Sequence, residues 1–563
     1  MPSPPISPAI SAERKRVIEA ALADGFTPFG QSGGRGSSAQ EGARRLGMNV
    51  SSLMSWIRTQ ERRALEGAEN FLPDWSLFKP PAAAKLSSSR AMVLVKRDAR
   101  RFLLTAAQDD TPVHASFWAN LLAYAHDIGA EIRVGGFTYQ KGLFEDHATR
   151  TAAFAREVHP YLFHDNNDCG PLVFAAKMNT LPTAVRPLSD LHTHPRGAWG
   201  VFPHAKIQLV SVPALPGRHP AMIMTTGACT IANYIEKKAG LKAEFHHQIG
   251  ATIVEVDPQD RVFCRQISAT DDGAFQDLDV VVRAGVVTRG HRVEEISWGD
   301  IHREQLDPTV ARAAWGLDLA RDEIISSDNM LDALKPRHQA WHDLLDFQAR
   351  NHHRRDDHAF MFGMMVEGTD RVDAANKACA EFLRRTARDF CTSVVVASNH
   401  NEAMHRWLRE TDPRKDPLNL RFWCQANDAI YAAKEAGDRE FDVFKWALER
   451  HDPANLEDIV FVPRNGSYLV CQEAGGVEIG LHGDEGPNGA RGSAMSLARV
   501  AVRLNIGHSH SAAILDGVYQ AGLCGLLDQQ YNTGPSSWSH TQIVTYRSAK
   551  RTLVTLIDGK WRA

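Results

Sequence analysis

The sequence predicts a mixed α/β protein, and three observations support this fold class. Short β-branched and apolar runs, such as TSVVVA at 392–397, are typical of buried strands. They alternate with longer stretches of helical spacing, such as 115–129. In addition, 43% of the 563 residues are hydrophobic, which is sufficient for a large core and favours several domains.

The C-terminal half contains four candidate strands that each end in residues able to bind a metal ion. The run EISWGDIH at 295–302 delivers Asp300 and His302 on one face, because side chains in a strand alternate with a period of two. A carboxylate and an imidazole so placed can hold one divalent cation. The other three strand ends, and one loop after Ile324-Ile325, carry Asn399-His400, His482, Gly507-His508-Ser509-His510, and Asp328.

This ordered series resembles the calcineurin-like metallophosphoesterases over roughly the last 270 residues. A lone Gly-His-x-His is a weak signal, whereas five elements in the family's order, each after a plausible strand, are specific. Ser327 and Ser398 depart from the pattern, since the family has glycine at both positions. The resemblance implies a four-layer α/β/β/α sandwich of two mixed sheets, with metals at the carboxyl ends of strands.

The resemblance also implies a set of roles for these residues. Two divalent cations, with Mn²⁺ favoured and Mg²⁺, Fe or Zn²⁺ compatible, would generate a bridging hydroxide that attacks phosphorus. His400 would protonate the leaving oxygen. We nominate Asp332 as the carboxylate that orients His400. The implied ligands are Asp300, His302 and His510 for the first cation, Asn399, His482 and His508 for the second, and Asp328 as the bridge.

A rival metal motif lies in the middle of the chain. The string SDLHTHP at 189–195 contains Asp190, His192 and His194, and it resembles the start of the polymerase-and-histidinol-phosphatase type of phosphoesterase. Asp190 lies 138 residues before Asp328, whereas Asp300 lies at the short spacing that a βαβ crossover needs. We therefore favour a surface loop with solvated histidines for 189–195.

The N-terminal region resembles a helix-turn-helix. Residues 11–23 have helical spacing, and from Ser38 one helix runs to Leu46, followed by a turn at Gly47 and a second helix from about Ser51. The first 100 residues hold 15 Lys/Arg against 9 Asp/Glu, a local basic excess that suits DNA. An ordinary helical hairpin used for packing or assembly is the alternative. The predicted hairpin core is Ala43, Leu46, Val50, Leu53 and Ile57, and the predicted DNA-facing residues are Ser52, Ser55, Arg58 and Arg62.

These patterns predict four segments and a cytoplasmic location. The eight cysteines show no C-x-x-C pair, which fits a reducing compartment, and no apolar leader or 18-residue apolar run occurs, so we expect no membrane association. A change to Pro, Ala and Ser marks the linker. The segments are a helix-turn-helix-like domain at 1–70, a linker at 71–90, an α/β domain of unassigned fold at 91–290, and a phosphoesterase-like domain at 291–563 with a helical insertion at 329–391.

The arrangement as a whole resembles the first-step-transfer DNases of certain tailed phages. The resemblance implies a homo-oligomeric DNA nuclease that degrades host DNA in the host cytoplasm. The net charge of −3 gives no general affinity for nucleic acid, so DNA binding would depend on local basic patches. Two alternatives stay open: a phosphatase of a small molecule or protein, and a DNA-binding regulator whose phosphoesterase domain is a non-catalytic scaffold.

Overall fold

The computed structural model describes residues 8–23, 43–44, 46–65, 68, 71, 99–139, 152–351, 354–529 and 532–563. The predicted linker beyond Phe71 lies outside these residues, as do residues 24–42 and 91–98. The helices are α1 Pro8–Ala23, α2 Val50–Leu65, α3 Ala115–Ile128, α4 Lys238–Phe245, α5 Pro308–Trp315, α6 Met330–Leu334, α7 His358–Glu367, α8 Val372–Thr386, α9 Asn399–Glu410, α10 Leu420–Glu435, α11 Val443–Glu449, α12 Pro453–Leu456 and α13 Ala494–Leu497.

The strands alternate with these helices along the chain. Before residue 290 they are β1 Arg100–Gln108, β2 Glu131–Phe137, β3 Leu162–Phe163, β4 Asn167–Asp168, β5 Leu172–Phe174, β6 Trp199–Phe202, β7 Leu209–Val212, β8 Ala221–Thr225, β9 Gly250–Val256, β10 Val262–Ser268, β11 Phe275–Asp277, β12 Val280–Arg283 and β13 Val286–Thr288. After it they are β14 Glu295–Ser297, β15 Leu317–Asp318, β16 Glu323–Ile324, β17 His338–Trp341, β18 Thr392–Val396, β19 Val460–Val462, β20 Leu469–Val470, β21 Val477–Glu478, β22 Leu504–Ile506, β23 Ala513–Leu515, β24 Val518–Gln520, β25 Thr541–Thr545 and β26 Arg551–Thr555.

This mixture of helices with parallel and antiparallel strands confirms the predicted α/β class. A six-stranded sheet has the order β19-β18-β17-β14-β25-β26, and its first four strands run parallel. Glu295 pairs with His338, and His338 pairs with Thr392, so β14, β17 and β18 are aligned in register. The carboxyl ends of these parallel strands therefore meet at one edge of the sheet.

A ten-stranded sheet crosses the boundary that the sequence predicted near residue 290. Its order is β20-β21-β22-β24-β23-β7-β8-β6-β5-β4, and the pair Ala513 and Val210 joins the two halves of the chain. Strands β21, β22 and β24 run parallel to one another. Their carboxyl ends also lie together, next to those of the six-stranded sheet.

The two sheets pack face to face, with helices outside. On one outer side, Trp298 and Trp341 of the six-stranded sheet pack against helices α5, α6 and α8 to α11 in the largest apolar core. On the other, Leu504 and Ile506 of β22 pack against α13. Asn505 of β22 points between the sheets, where its amide donates to Glu295. The alternation along β22 thus follows the period of two in a strand.

One prediction about this region is wrong. The segment 329–391 is not a purely helical insertion, because it contains β17, a central strand of the six-stranded sheet. Its sequence HQAW is short and half polar, so it carries little strand signal. The polar Gln339 is accommodated by partners distant in sequence: it accepts from the indole of Trp298 and donates to Ser393 and to the carbonyl of Thr386.

The N-terminal helices form a small apolar core of their own. Ala43, Leu53 and Ile57 are buried as predicted, together with Ile18, and they pack against Ala153 of the middle region. Gly47 has a φ of +62°, the left-handed conformation expected at the turn. The side chain of Val50 lies outside the described residues. Among the described helices, none is both long and apolar enough to cross a bilayer.

Candidate metal centre

The residues of the candidate centre come from the adjoining edges of the two packed sheets. Asp300, Asp343 and Asn399 follow β14, β17 and β18 of the six-stranded sheet, whereas His482 and His508 follow β21 and β22 of the ten-stranded sheet. Ligands at the carboxyl ends of adjacent parallel strands approach one another because the strands are in register. Asp300 and His508, which are 208 residues apart in sequence, are brought together by the packing of the two sheets.

Two of these side chains form a tight buried group with two further histidines. Asp300, His302, Asp343 and His510 each place one ligand atom within 4.8 Å of the others. The Nε2 atoms of His302 and His510 are 3.1 Å apart, and His510 Nε2 is also 3.1 Å from Asp300 Oδ2. Asp343 Oδ2 lies 3.8 Å from His302 Nε2. Carboxylate oxygens and imidazole nitrogens that converge in this way are suited to a divalent transition-metal ion.

A second group shares Asp343 with the first. His482 Nε2 lies 3.2 Å from Asp343 Oδ2 and 3.1 Å from the amide oxygen of Asn399. The ring of His508 packs edge-on against His482, with centroids 5.3 Å apart, and its backbone N–H donates to Asp300. Asp343 therefore stands between two sets of potential ligands.

The backbone of the centre is strained at four residues. His302, Asp343, His508 and His510 have φ angles of 44°, 43°, 73° and 58°, in the left-handed region that residues with a Cβ rarely adopt. Each costs of order 1 kcal/mol or more and persists only where surrounding structure enforces it. Such strain concentrates at functional sites, where it aims side chains that a relaxed backbone would direct elsewhere.

Unpaired buried polar atoms indicate that the group fits a metal ion. The Oδ1 atom of Asp300 and the Nδ1 atoms of His482 and His510 are buried without a hydrogen-bond partner among the described residues. Burial raises the pKa of Asp343, but the charges of His482 and His400 outweigh it and hold the pKa well below its ordinary value. Buried charge with unpaired acceptors is costly, and a cation would compensate it.

His342 is a buried histidine that the sequence analysis did not single out. Neither ring nitrogen has a hydrogen-bond partner within the described part of the chain, and its ring lies beside that of His482 with centroids 5.6 Å apart. Burial, reinforced by the charge of His482, lowers the pKa of His342 to about 4. It stands directly before Asp343, in the segment 329–391 that the sequence predicted to be a helical insertion.

His400 lies at the edge of the group and is held by Asp346. Its Nδ1 atom donates to the Asp346 carbonyl at 2.9 Å and lies 3.4 Å from the Asp346 carboxylate, while His302 Nδ1 donates to the same carboxylate at 2.8 Å. Burial lowers the pKa of His400, but the charge of Asp343 and the contacts with Asp346 outweigh it and raise the pKa to about 10. Asp346 thus orients two imidazoles at once.

The prediction that Asp328 bridges the two cations is wrong. Asp328 is exposed in the loop before α6, away from both ligand groups, and its N–H donates to Ser326. Asp343 occupies the shared position instead. The strand before Asp343, β17, is short and half polar and so gives little sequence signal, and His342 rather than a small residue stands directly before Asp343. The string HDLLD at 342–346, with two aspartates three residues apart, was the available signal.

The prediction that Asp332 orients His400 is also wrong. Its carboxylate forms a two-pronged ion pair with Arg388, at 2.8 and 3.1 Å, and accepts from the Asn329 amide. Asp346 contacts His400 in its place. Asp332 lies on α6, which precedes β17 in the chain. Because β17 was not predicted, the distance between Asp332 and His400 could not be judged from the sequence.

The remaining predicted site residues are placed as follows. Asp300, His302, Asn399, His400, His482, His508 and His510 are brought together. Ser52, Ser55, Arg58 and Arg62 are exposed on one side of α2. The rival residues Asp190, His192 and His194 are exposed in a loop of turns, and the described residues show no group of three metal ligands there.

These features define a mixed α/β protein with a buried cluster of aspartates and histidines that could hold metal ions, as in a metal-dependent enzyme. The chain is 36% identical over 499 residues to Protein A1 of Escherichia phage T5, a match that covers 86% of each chain. It therefore belongs to the family of this phage protein. No protein-family model matches the chain, and no solved structure matches it.

Proposed function

We propose that this protein is a dinuclear metal-dependent phosphodiesterase that cleaves DNA. The observation that carries the proposal is the convergence of two ligand groups on Asp343 from two sheets. The order of the motifs along the chain, which resembles the calcineurin-like phosphoesterases and the first-step-transfer DNases of tailed phages, supports it. So does the family relationship to a phage protein.

The geometry supports a definite division of ligands. Asp300, His302 and His510 would hold one cation, because their ligand atoms and that of Asp343 lie within 4.8 Å. Asn399, His482 and His508 would hold the other, with Asp343 shared between the two. Two divalent cations in such a site supply an activated water as nucleophile and neutralise charge on the phosphate, and Mn²⁺ suits this mixture of donors.

His400 would donate a proton to the leaving oxygen. The Asp346 carbonyl fixes its Nδ1 atom, so the ring presents Nε2, which makes no hydrogen bond to the described residues, toward a bound substrate. Its side chain is 16% exposed, which leaves a path to a ligand at the mouth of the site. A positioned imidazole of this kind contributes roughly 10²- to 10⁴-fold to rate.

DNA is favoured as substrate by the N-terminal helices. Ser55, Arg58 and Arg62 recur every three or four residues on the exposed side of α2, so they lie on one face of the helix. Hydroxyl and guanidinium groups in a row are suited to phosphate oxygens. A helical unit that holds DNA near the site would raise its local concentration.

The test is cleavage of linear and supercoiled DNA in the presence of Mn²⁺. Asp343→Asn, which keeps the size of the side chain, is expected to abolish cleavage, and the matched Asp328→Asn is expected to leave it intact. Absence of cleavage by the wild type would exclude a nuclease. In that case, faster hydrolysis of p-nitrophenyl phosphate than of bis(p-nitrophenyl) phosphate would identify a phosphatase, and sequence-specific DNA binding without turnover would identify a regulator.

A further inference from the structure

Arg464 joins two carboxylates, one on a helix that follows a strand of the six-stranded sheet and one in a loop that follows a strand of the ten-stranded sheet. It lies two residues after β19, and its Nε and Nη2 atoms donate to the Glu402 carboxylate at 2.8 and 2.7 Å. Its Nη1 atom donates to both oxygens of Asp484, at 2.8 and 2.7 Å. All three nitrogens of the guanidinium are thus used, and charge-assisted bonds of this geometry are strong and directional.

Each of the two carboxylates stands next to candidate metal ligands. Glu402 lies on the first turn of α9, two residues after His400 and three after Asn399. Asp484 lies two residues after His482, in the loop that follows β21. Arg464 therefore links the segment that carries Asn399 and His400, on the six-stranded sheet, to the segment that carries His482, on the ten-stranded sheet.

Arg464 is largely shielded from solvent although a cavity of about 980 Å³ lies beside it; Ala397, Glu402 and Val462 are among the residues that line this cavity. The side chains of Arg464 and Asp484 are only 24% and 10% exposed, so their ion pair is little weakened by solvent.

We propose that Arg464 is a positioning residue that holds the Asn399–His400 segment at its working distance from His482. The distance in question is the 3.1 Å between Asn399 Oδ1 and His482 Nε2, two ligands of the second cation. Among the described residues, Asp300, His302 and His510 make no hydrogen bond or ion pair with Arg464, Glu402 or Asp484. Loss of Arg464 weakens one cation site selectively. This inference rests on the proposed function.

The experiment is a titration of the full chain with Mn²⁺, followed by the electron paramagnetic resonance of free Mn²⁺, so that binding is measured without DNA cleavage. Wild type is expected to bind two ions. Arg464→Ala is expected to bind one ion as before and the other about tenfold to a hundredfold more weakly, the range typical of residues that orient ligands. With Mn²⁺ held at a fixed level, kcat for DNA is expected to fall while KM changes little.

Arg388→Ala is the matched control. Arg388 forms a similar two-pronged ion pair with Asp332, whose side chains are 17% and 20% exposed, but neither residue adjoins a candidate ligand. Its loss is expected to lower the melting temperature and leave both Mn²⁺ affinities unchanged. Arg464→Lys, which can reach one carboxylate at a time, is expected to restore part of the affinity.

The outcomes separate this inference from the proposed function. A wild type that binds no Mn²⁺ overturns the proposed function and this inference with it. A wild type that binds two ions, with the same isotherm for Arg464→Ala, overturns the inference alone. If Arg464→Ala does not fold, Glu402→Gln takes its place: this carboxylate is 47% exposed, so the change is mild, and unchanged affinity for both ions in that variant would equally overturn it.

Discussion

Gly507 lies so close to Asp300 that a Cβ atom on Gly507 would overlap the Oδ1 atom of that carboxylate and would also stand 3.1 Å from the Cβ atom of His342. The absence of a side chain at residue 507 is therefore what allows β22 and its two histidines to approach β14. This contact connects a local sequence feature, the glycine before His508, to the approach of the two sheets.

We expect Gly507→Ala to disrupt the centre. The added methyl must displace Asp300 or His342, both of which are fully buried, and overpacking of this kind costs about 1 to 3 kcal/mol of unfolding free energy. Urea unfolding and Mn²⁺ titration measure the two effects. Gly363→Ala is the control: in α7 no atom of the described residues lies within 4 Å of the added methyl, so the same change is expected to be neutral or stabilising. Unchanged Mn²⁺ binding in Gly507→Ala would contradict the conclusion that the close approach of Gly507 to Asp300 is needed to form the centre.

His400→Gln is expected to slow DNA cleavage by roughly 10² to 10⁴ in kcat with little change in KM, because the variant cannot protonate the leaving oxygen. The loss is expected to be much smaller on bis(p-nitrophenyl) phosphate, whose leaving group departs readily as an anion. His405→Gln, an exposed position on the same helix, is the control and should behave as wild type. Equal losses on the two substrates would argue against proton donation by His400.

Because of Glu295, the free energy of unfolding is expected to fall as pH rises. Burial between the sheets raises its pKa to about 7, although hydrogen bonds from Ser297, Thr545 and Asn505 oppose the shift. Because this pKa lies above the ordinary value near 4.5, the folded state binds the proton more tightly than the unfolded state. The stability that the proton confers is complete below about pH 4.5 and is lost as pH rises through 7, a change of about 3 kcal/mol.

Glu295→Gln tests this pH dependence. The amide can take the place of the protonated carboxyl, donating to Ser297 and accepting from Asn505 and Thr545. Urea unfolding at pH 5 and pH 8 should show the variant gaining relative to wild type as pH rises. Glu294→Gln, at the half-buried neighbour paired with Arg337, is expected to show no such trend. Parallel pH profiles for wild type and Glu295→Gln would refute the assignment.

Arg58→Ala combined with Arg62→Ala is expected to weaken DNA binding without altering the metal centre. Each arginine that contacts a phosphate contributes about one unit to the slope of log affinity against log salt, so the double variant should lose about two. Hydrolysis of bis(p-nitrophenyl) phosphate should be unchanged. Arg16→Ala, which removes an exposed basic residue of α1, serves as control. If the slope of log affinity against log salt is unaltered, the alternative is favoured, namely that the N-terminal helices form a hairpin used for packing or assembly.

The local sequence was sufficient to predict a strand, and the ligand residues after it, where the strand is marked by consecutive apolar residues. The run TSVVVA at 392–397 indicated β18, and the Asn-His and Gly-His-x-His strings after predicted strands pointed to Asn399, His400, His508 and His510, which the structure brings together. These features depend on side-chain alternation and on residues adjacent in the chain. The metal-ligand roles themselves stay predictions.

Tertiary structure alone decided which aspartates belong to the centre. The sequence pattern pointed to Asp328 and Asp332, whereas packing selects Asp343 and Asp346, because the strand before them, β17, has polar side chains whose partners are distant in sequence. The same holds for the ten-stranded sheet, built from both halves of the chain, and for Arg464, whose two carboxylates lie 62 and 20 residues away. Contacts between segments distant in sequence leave no local pattern, so only the folded chain shows them.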